Sequence, residues 1–122
     1  MGKVLVVDDS NAIRQLVSRT LLNSGFDVES AVDGADGLRS AEACDYDLVI
    51  TDINMPQMDG LNLISNLRKM PSYRMKPILV LSTEYSPEMK KRGKEAGATG
   101  WLVKPFNPDT LLDVIGKVLP AG

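Results

Sequence analysis

Short apolar runs alternate with segments of helical periodicity along the 122-residue chain, and this alternation restricts the fold more than any other feature. The runs predict strands at 3–7, 26–31, 48–51, 78–81 and 100–103. The intervening segments predict helices at about 11–23, 35–43 and 60–69, and two more that begin at Pro87 and Pro108. Five such strand–helix units are typical of an α/β protein in which helices cover both faces of a parallel sheet.

The composition of each run indicates where its strand lies in the sheet. Residues 48–51 and 78–81 are almost entirely apolar, which is typical of central strands buried on both faces. Residues 26–31 alternate in polarity, so we expect an edge strand with one wetter face. In the first helix, a stripe at helical spacing is predicted to face the core: Ile13, Leu16, Val17, Thr20 and Leu21.

The chain contains no histidine and a single cysteine, Cys44. A histidine general base, a Ser–His or Cys–His nucleophile pair and the usual Cys/His zinc site are therefore excluded. The formal net charge of −2 argues against nonspecific binding of nucleic acid, which depends on Lys and Arg neutralising phosphates. The lone thiol indicates a reducing compartment, and no apolar run is long enough to span a membrane, so we expect a cytoplasmic protein.

Polar residues directly follow four of the predicted strands: Asp8-Asp9, Asp52, Ser82-Thr83 and Lys104. In open parallel sheets, ligands bind outside the carboxyl ends of the strands, at the point where the strand order reverses. If the order is 2-1-3-4-5, one of the two common orders for such sheets, strands 1 and 3 are neighbours. The three aspartates would then converge on one crevice.

Three carboxylates in one pocket repel one another unless a cation lies between them. Oxygen ligands without imidazole or thiolate suit Mg²⁺, and Lys104 adds a second positive charge. Such a pocket fits a phosphoryl group, with Ser82 as a hydrogen-bond donor, and a carboxylate nucleophile there would form an aspartyl-phosphate. Asp52, at the end of a central strand, is the candidate nucleophile.

The order of these residues resembles the receiver domain of two-component response regulators. The resemblance covers essentially the whole chain and rests on four motifs: Val-Asp8-Asp9-Ser, Thr-Asp52-Ile-Asn54-Met-Pro-Gln-Met-Asp-Gly60, Leu-Ser82-Thr and Val-Lys104-Pro-Phe. It implies a flavodoxin-like (βα)5 fold, a doubly wound parallel sheet with strand order 2-1-3-4-5. Within the family, Asn54, the stretch from Ser82 through Glu84 and the segment Gly-Ala-Thr-Gly-Trp101-Leu-Val-Lys104-Pro-Phe most resemble stand-alone chemotaxis regulators of the CheY type.

The resemblance also implies roles for individual residues. Asp52 accepts the phosphoryl group, Asp9 and Asp52 bind Mg²⁺ directly, and Asp8 binds it partly through water. The backbone carbonyl of Asn54 supplies a further Mg²⁺ ligand. The phosphoryl group is contacted by Lys104, which also contacts Asp52, and it is reached by Ser82 after the transfer.

Further expectations concern the switch and the local backbone. Trp101 stands at the family's aromatic switch position, where Tyr or Phe is frequent, and acts together with Ser82. Asn54 and Glu84 are expected to tune the lifetime of the phosphoryl group. The Lys104–Pro105 bond is expected to be cis by resemblance, and one aspartate after the first strand is expected to cap the first helix.

These features predict a phosphorylation-activated signalling switch in a single receiver domain, 1–122, without an output domain, because three residues follow the last helix. Such a protein is not an enzyme beyond its own phosphorylation and dephosphorylation. The expected partners are a chemotaxis-type histidine kinase, a phosphatase and an output protein such as the flagellar motor switch. The protein itself is expected to be a monomer. The fourth helix, fifth strand and fifth helix are expected to form the binding face, because the fourth helix has a weak apolar stripe of Met89, Gly93 and Ala96.

Three alternatives stay open at this point. A stand-alone receiver can act as a phosphate sink or a relay intermediate. A Mg²⁺-dependent phosphatase of the haloacid dehalogenase type also uses an aspartate nucleophile, but it carries a second aspartate two residues later, where this chain has Asn54. A flavodoxin-like electron carrier shares the topology, but three carboxylates would repel its anionic cofactor.

Overall fold

The computed structural model describes residues 2–55, 57–83 and 86–119. Within these ranges, five parallel strands form one sheet in the order β2-β1-β3-β4-β5. The strands are β1 (Lys3–Val7), β2 (Asp27–Ala31), β3 (Leu48–Thr51), β4 (Ile78–Ser82) and β5 (Gly100–Val103). The α-helices of the same ranges are α1 (Asn11–Asn23), α2 (Gly34–Ala43), α3 (Gly60–Lys69), α4 (Pro87–Ala96) and α5 (Pro108–Val118), and a short 3₁₀ helix, Pro71–Tyr73, precedes β4. The predicted fold and strand order are confirmed.

Two apolar clusters lie on opposite faces of the sheet. On one face, α2, α3 and α4 pack against side chains from β1, β3 and β4. On the other face, α1 and α5 pack through Val17, Leu21, Leu111 and Ile115. Neighbouring strands β1 and β3 are therefore followed by helices on opposite faces, which opens a crevice at the carboxyl ends of these two strands.

The strand positions agree with the apolar patterns. All residues of β3 and β4 are buried, whereas three of the five residues of β2, at the sheet edge, are exposed. β2 begins one residue later than predicted, at Asp27, and β4 extends to Ser82. The weak stripe of α4 is confirmed, since Gly93 is its one fully buried residue and Met89 and Ala96 are half-buried. None of the described helices is long and apolar enough to cross a membrane.

Two predictions for α1 are wrong. Leu16, predicted to face the core, is 40% exposed, because α1 contacts the sheet along a narrow strip that includes Leu21. The helix is capped by Ser10, whose Oγ accepts a hydrogen bond from the amide of Ile13, and not by an aspartate. The carboxylate of Asp8 lies in the crevice instead, so a serine hydroxyl satisfies the helix end.

The guanidinium of Arg68, near the end of α3, joins three segments. It donates to the carbonyl oxygens of Tyr73 and Lys76 before β4, at 2.6 Å each. It also donates to the carbonyl oxygen of Gly97 at 2.7 and 3.0 Å, just after α4. Gly97 has a φ of 115°, which glycine adopts readily at a helix end. Arg68 therefore ties the ends of α3 and α4 to the loop before β4.

Candidate functional site

The carboxyl ends of β1 and β3 bring the predicted aspartates together. The amide of Asp52 donates to the carbonyl oxygen of Val7 at 2.9 Å, which places the residue after β3 beside the end of β1. One carboxylate oxygen from each of Asp8, Asp9 and Asp52 lies within 4.8 Å of the other two. The predicted convergence of these three residues is therefore confirmed.

Lys104 lies between two of these carboxylates. Its Nζ donates to Oδ2 of Asp8 at 2.8 Å and to Oδ2 of Asp52 at 3.3 Å. Each Oδ1 accepts from a backbone amide, that of Ser10 for Asp8 at 2.9 Å and that of Ile53 for Asp52 at 2.7 Å. The two carboxylates are nearly buried and share one ammonium, so two negative charges face one positive charge.

Burial and charge shift the pKa values at this site. Burial raises the pKa of Asp52 above its ordinary value, and the charge of Asp8 adds to the rise although Lys104 opposes it. Burial acts to lower the pKa of Lys104, but its hydrogen bond to Asp8 and the charge of Asp52 outweigh burial, and the pKa is raised. Lys104 therefore stays protonated, while the carboxylate of Asp52 is incompletely neutralised. A further cation would stabilise the ionised cluster.

The cluster fits a magnesium ion by ligand type and by access. Its possible ligand atoms are carboxylate oxygens, the donors that Mg²⁺ prefers, and Asp9 is exposed, so an ion can reach the site from solvent. Asp8 and Asp52 share the single ammonium of Lys104, so one of these two negative charges is left without a positive partner among the residues that the structure describes. Asp8, Asp9 and Asp52 can therefore hold a metal ion. Asn54, whose carbonyl is a predicted ligand, is exposed two residues beyond Asp52.

Two residues that had no predicted role lie against the backbone of the site aspartates. A Cβ at Gly60 would collide with the carbonyl oxygen of Asp52, so glycine lets α3 begin this close to the candidate nucleophile. Arg14 of α1 donates to the carbonyl oxygen of Asp8 at 2.7 Å. Gly60 could have been found from its place at the predicted start of α3. Arg14 leaves no signal in the sequence, because its partner is a backbone atom.

The other predicted residues lie around the aspartates. Ser82 is fully buried at the end of β4, and its carbonyl oxygen accepts from the amide of Lys104 at 2.8 Å. The Lys104–Pro105 bond is cis, as predicted. Trp101 lies in β5, half-buried beside α4. Glu84 lies outside the described residues.

A parallel sheet of this order, with three aspartates and a lysine at its carboxyl edge, has the architecture expected of a receiver. The family model described as response regulator receiver domain matches residues 4–116, and the chain belongs to this family. Receiver domains act in phosphorylation-based signalling: histidine kinases phosphorylate them, they bind Mg²⁺ at an acidic pocket, and they are switches that act on output partners. The phosphatase and electron-carrier alternatives lie outside this family.

Individual relatives narrow the comparison. The chain is similar to the chemotaxis protein CheY4 of Vibrio cholerae, with 52% identity and a TM-score of 0.95 over 98% of this chain and 99% of that one. It is also similar to the response regulator protein TrrA of Thermotoga maritima, solved in complex with Mg²⁺–BeF, with 34% identity and a TM-score of 0.86 over 98% of this chain and 100% of that one.

A curated relative is longer. The chain is 42% identical over 116 residues to the transcriptional regulatory protein PrrA of Mycobacterium tuberculosis, which covers 95% of this chain and 48% of that protein. The chain therefore spans about half the length of the curated relatives that it matches.

Proposed function

We propose that this protein is a phosphorylation-activated switch in which Asp52 accepts a phosphoryl group from a histidine kinase. The observation that carries the proposal is the shared ammonium: Lys104 contacts both Asp8 and Asp52, with the exposed Asp9 beside them. Three carboxylates and an ammonium thus lie around one point, and this supports Asp52 as the nucleophile. A dianionic phosphoryl group needs such surroundings, because catalysis of its transfer is mainly positioning and charge stabilisation.

The transfer is a displacement at phosphorus. A carboxylate oxygen of Asp52 forms the new P–O bond while the P–N bond to the imidazole of the kinase breaks. The imidazole nitrogen leaves with the electron pair and takes up a proton. Lys104 donates to Asp52, and we propose that its ammonium also contacts the phosphoryl oxygens. Ser82, at the end of the neighbouring strand β4, is proposed to contact the phosphoryl group after transfer.

Mg²⁺ is the proposed cofactor. Asp9 and Asp52 would hold it directly, Asp8 partly through water, and Asn54 through its backbone carbonyl. When bound, the ion offsets the negative charge that the carboxylates and the phosphoryl oxygens share. The similarity to TrrA, whose structure contains Mg²⁺–BeF, supports this assignment because beryllofluoride mimics a phosphoryl group.

Phosphoryl uptake from acetyl phosphate tests the proposal. With Mg²⁺, intact-mass spectrometry should show one added phosphoryl group on the wild type and none on Asp52→Asn. The matched control is Asp113→Asn, which removes an exposed carboxylate of α5 and should label like the wild type. Full labelling of Asp52→Asn, or labelling of the wild type in excess chelator, would contradict the proposed site.

We further propose that this receiver acts in the cytoplasm and signals by binding another protein. The proposed surface is the face formed by α4, β5 and α5. Residues 88–95 carry four basic and two acidic side chains in a chain of net charge −2. A groove of about 480 Å³ lies on this face, lined by Pro87, Lys90, Lys91, Lys94, Ala98, Thr99, Gly100 and Trp101. Its basic rim and indole favour an acidic segment with an apolar anchor.

The proposed output partner is the flagellar motor switch, and the similarity to the chemotaxis protein CheY4 over 99% of that chain supports it. The alternative is a phosphate sink or relay intermediate. Beryllofluoride-loaded protein should retain purified motor switch protein, and this retention should fall when Lys91 is replaced by glutamate. Retention of a histidine-containing phosphotransfer protein, without retention of the motor switch, would establish the alternative instead.

The lifetime of the phosphoryl group is proposed to depend on Asn54 and Glu84. We expect Asn54→Ala and Glu84→Ala to change the dephosphorylation rate and to leave Mg²⁺ affinity nearly unchanged. The rate is measured by the loss of the phosphorylated mass after removal of acetyl phosphate. A large loss of Mg²⁺ binding in Glu84→Ala would show that this residue belongs to the metal site.

A further inference from the structure

The indole of Trp101 occupies space that a side chain at position 93 would need. A Cβ built on Gly93 would lie 2.7 Å from Cζ3 and 3.1 Å from Cε3 of Trp101. Both distances are shorter than the separation of about 3.5–4.0 Å that is favourable between two carbon atoms. The missing side chain of Gly93 therefore forms a notch in α4, and the six-membered ring of Trp101 lies in it.

This notch is placed where α4 meets the sheet. Gly93 is the one fully buried residue of α4, and Trp101 lies opposite Val80 in the register of β5 with β4. Glycine is unfavourable inside a helix compared with alanine. The sequence therefore has a weak helix former at a position of α4 where a Cβ would collide with the ring.

The ring also belongs to the proposed binding surface. Trp101 lines the groove whose rim carries lysines of α4, so a movement of the ring changes both the groove and the contact that seats the helix. The far end of α4 is tied down, because Arg68 donates twice to the carbonyl oxygen of Gly97. The start of α4 is capped by the hydroxyl of Ser86. The contact between Gly93 and Trp101 thus lies between these two ends.

We infer that Gly93 is a positioning residue that sets the resting place of Trp101, so that the position of the ring and the seating of α4 are coupled through the notch. With the ring in the notch, α4 lies close to β5. When the ring leaves the notch, α4 loses this contact and the groove changes shape. The relevance of this coupling to phosphorylation rests on the proposed function, but the notch itself does not.

Alanine substitution at two glycines tests the coupling. Gly93→Ala places a methyl group against the ring, whereas Gly116→Ala, in α5, meets no atom within 4 Å and controls for the gain in helix propensity. Trp101 is the only tryptophan, so its fluorescence reports the ring directly. For Gly93→Ala we expect a red-shifted emission and a roughly twofold rise in acrylamide quenching, since a large aromatic surface becomes exposed. Gly116→Ala should match the wild type in both readouts.

A stability cycle, in which the urea midpoints of single and double variants are compared, tests the inference even if partial unfolding affects the fluorescence. In a Trp101→Ala background, Gly93→Ala should raise the urea midpoint as much as Gly116→Ala does, because the obstacle is gone. With Trp101 present, that gain should be lost. Equal gains in both backgrounds, together with unchanged emission and quenching, would overturn the inference.

The response to Mg²⁺ and beryllofluoride separates this inference from the proposed function. If the ring leaves the notch on activation, the fluorescence change should lose at least half of its amplitude in Gly93→Ala and keep its full amplitude in Gly116→Ala. A wild type that shows no response would contradict the proposed function. The resting fluorescence and the stability cycle would still decide whether the notch exists.

Discussion

Replacing Lys104 with methionine tests whether one ammonium holds the aspartate cluster together. The side chain of Lys104 is 12% exposed, and its partners Asp8 and Asp52 are 2% and 11% exposed. Removing one partner of a buried ion pair costs about 3–5 kcal/mol, because a buried charge is left unpaired. Solvent reaches Lys104 and Asp52 in part but hardly reaches Asp8. We therefore expect a loss of about 3 kcal/mol in the free energy of unfolding, at the lower end of that range.

Mg²⁺ should reverse much of this loss. The ammonium competes with a metal ion for the carboxylate oxygens of Asp8 and Asp52, so its removal should tighten Mg²⁺ binding. Binding to the folded state adds about 2.7 kcal/mol of stability when the free ion is at 100 times its Kd. The gap between Lys104→Met and the wild type should therefore narrow as Mg²⁺ is added.

The assay is urea unfolding followed by circular dichroism, in chelator and at increasing Mg²⁺. Lys76→Met is the matched control, because Lys76 also lies 3.3 Å from an aspartate, Asp47, but in an exposed pair. An exposed pair contributes about 0–1 kcal/mol, and its loss should not respond to Mg²⁺. If Lys104→Met is as stable as the wild type in chelator, or loses stability independently of Mg²⁺, the reasoning is refuted.

Urea unfolding also checks three further predictions. Arg68→Gln should lower the free energy of unfolding by about 3 kcal/mol, because several carbonyl oxygens lose a charged donor, whereas Arg39→Gln on the exposed surface should change it by less than about 0.5 kcal/mol. Tyr73→Phe should cost about 1–3 kcal/mol, since its buried hydroxyl donates to backbone carbonyls. The amide of Lys3 holds the pKa of Asp47 below its ordinary value of 3.8. Ionised Asp47 therefore stabilises the fold at pH values above 3.8, and this stabilisation is lost as the pH falls through the lowered pKa. The difference in urea midpoint between the wild type and Asp47→Asn should accordingly stay constant near neutral pH and vanish in acid; a difference that persists in acid would show another cause.

The architecture could be predicted because burial on two faces leaves a clear mark on a strand. Residues 48–51 and 78–81 are apolar almost throughout, and both strands lie inside the sheet. The aspartates could be placed because the carboxyl ends of parallel strands meet at one edge. Leu16 was misplaced because helical spacing shows which side chains share a face, but not how wide a strip touches the sheet.

Contacts with backbone atoms could not be predicted. Arg14 and Arg68 donate to carbonyl oxygens, which every residue carries, so no pattern of side chains announces these bonds. Gly93 was predicted to face inward, and this is confirmed. Position 93 carries glycine because the ring of Trp101 occupies the space that a Cβ would need. This contact depends on how α4 lies over β5, and the spacing of residues in the sequence does not indicate it.

Mapping the phosphorylated residue tests the central claim most directly. After incubation with acetyl phosphate and Mg²⁺, borohydride reduces an aspartyl-phosphate to homoserine, which tandem mass spectrometry locates in the chain. We expect homoserine at position 52 and at no other aspartate. Homoserine at position 8 or 9, or none in a protein that has bound Mg²⁺, would contradict the assignment of Asp52 as the acceptor.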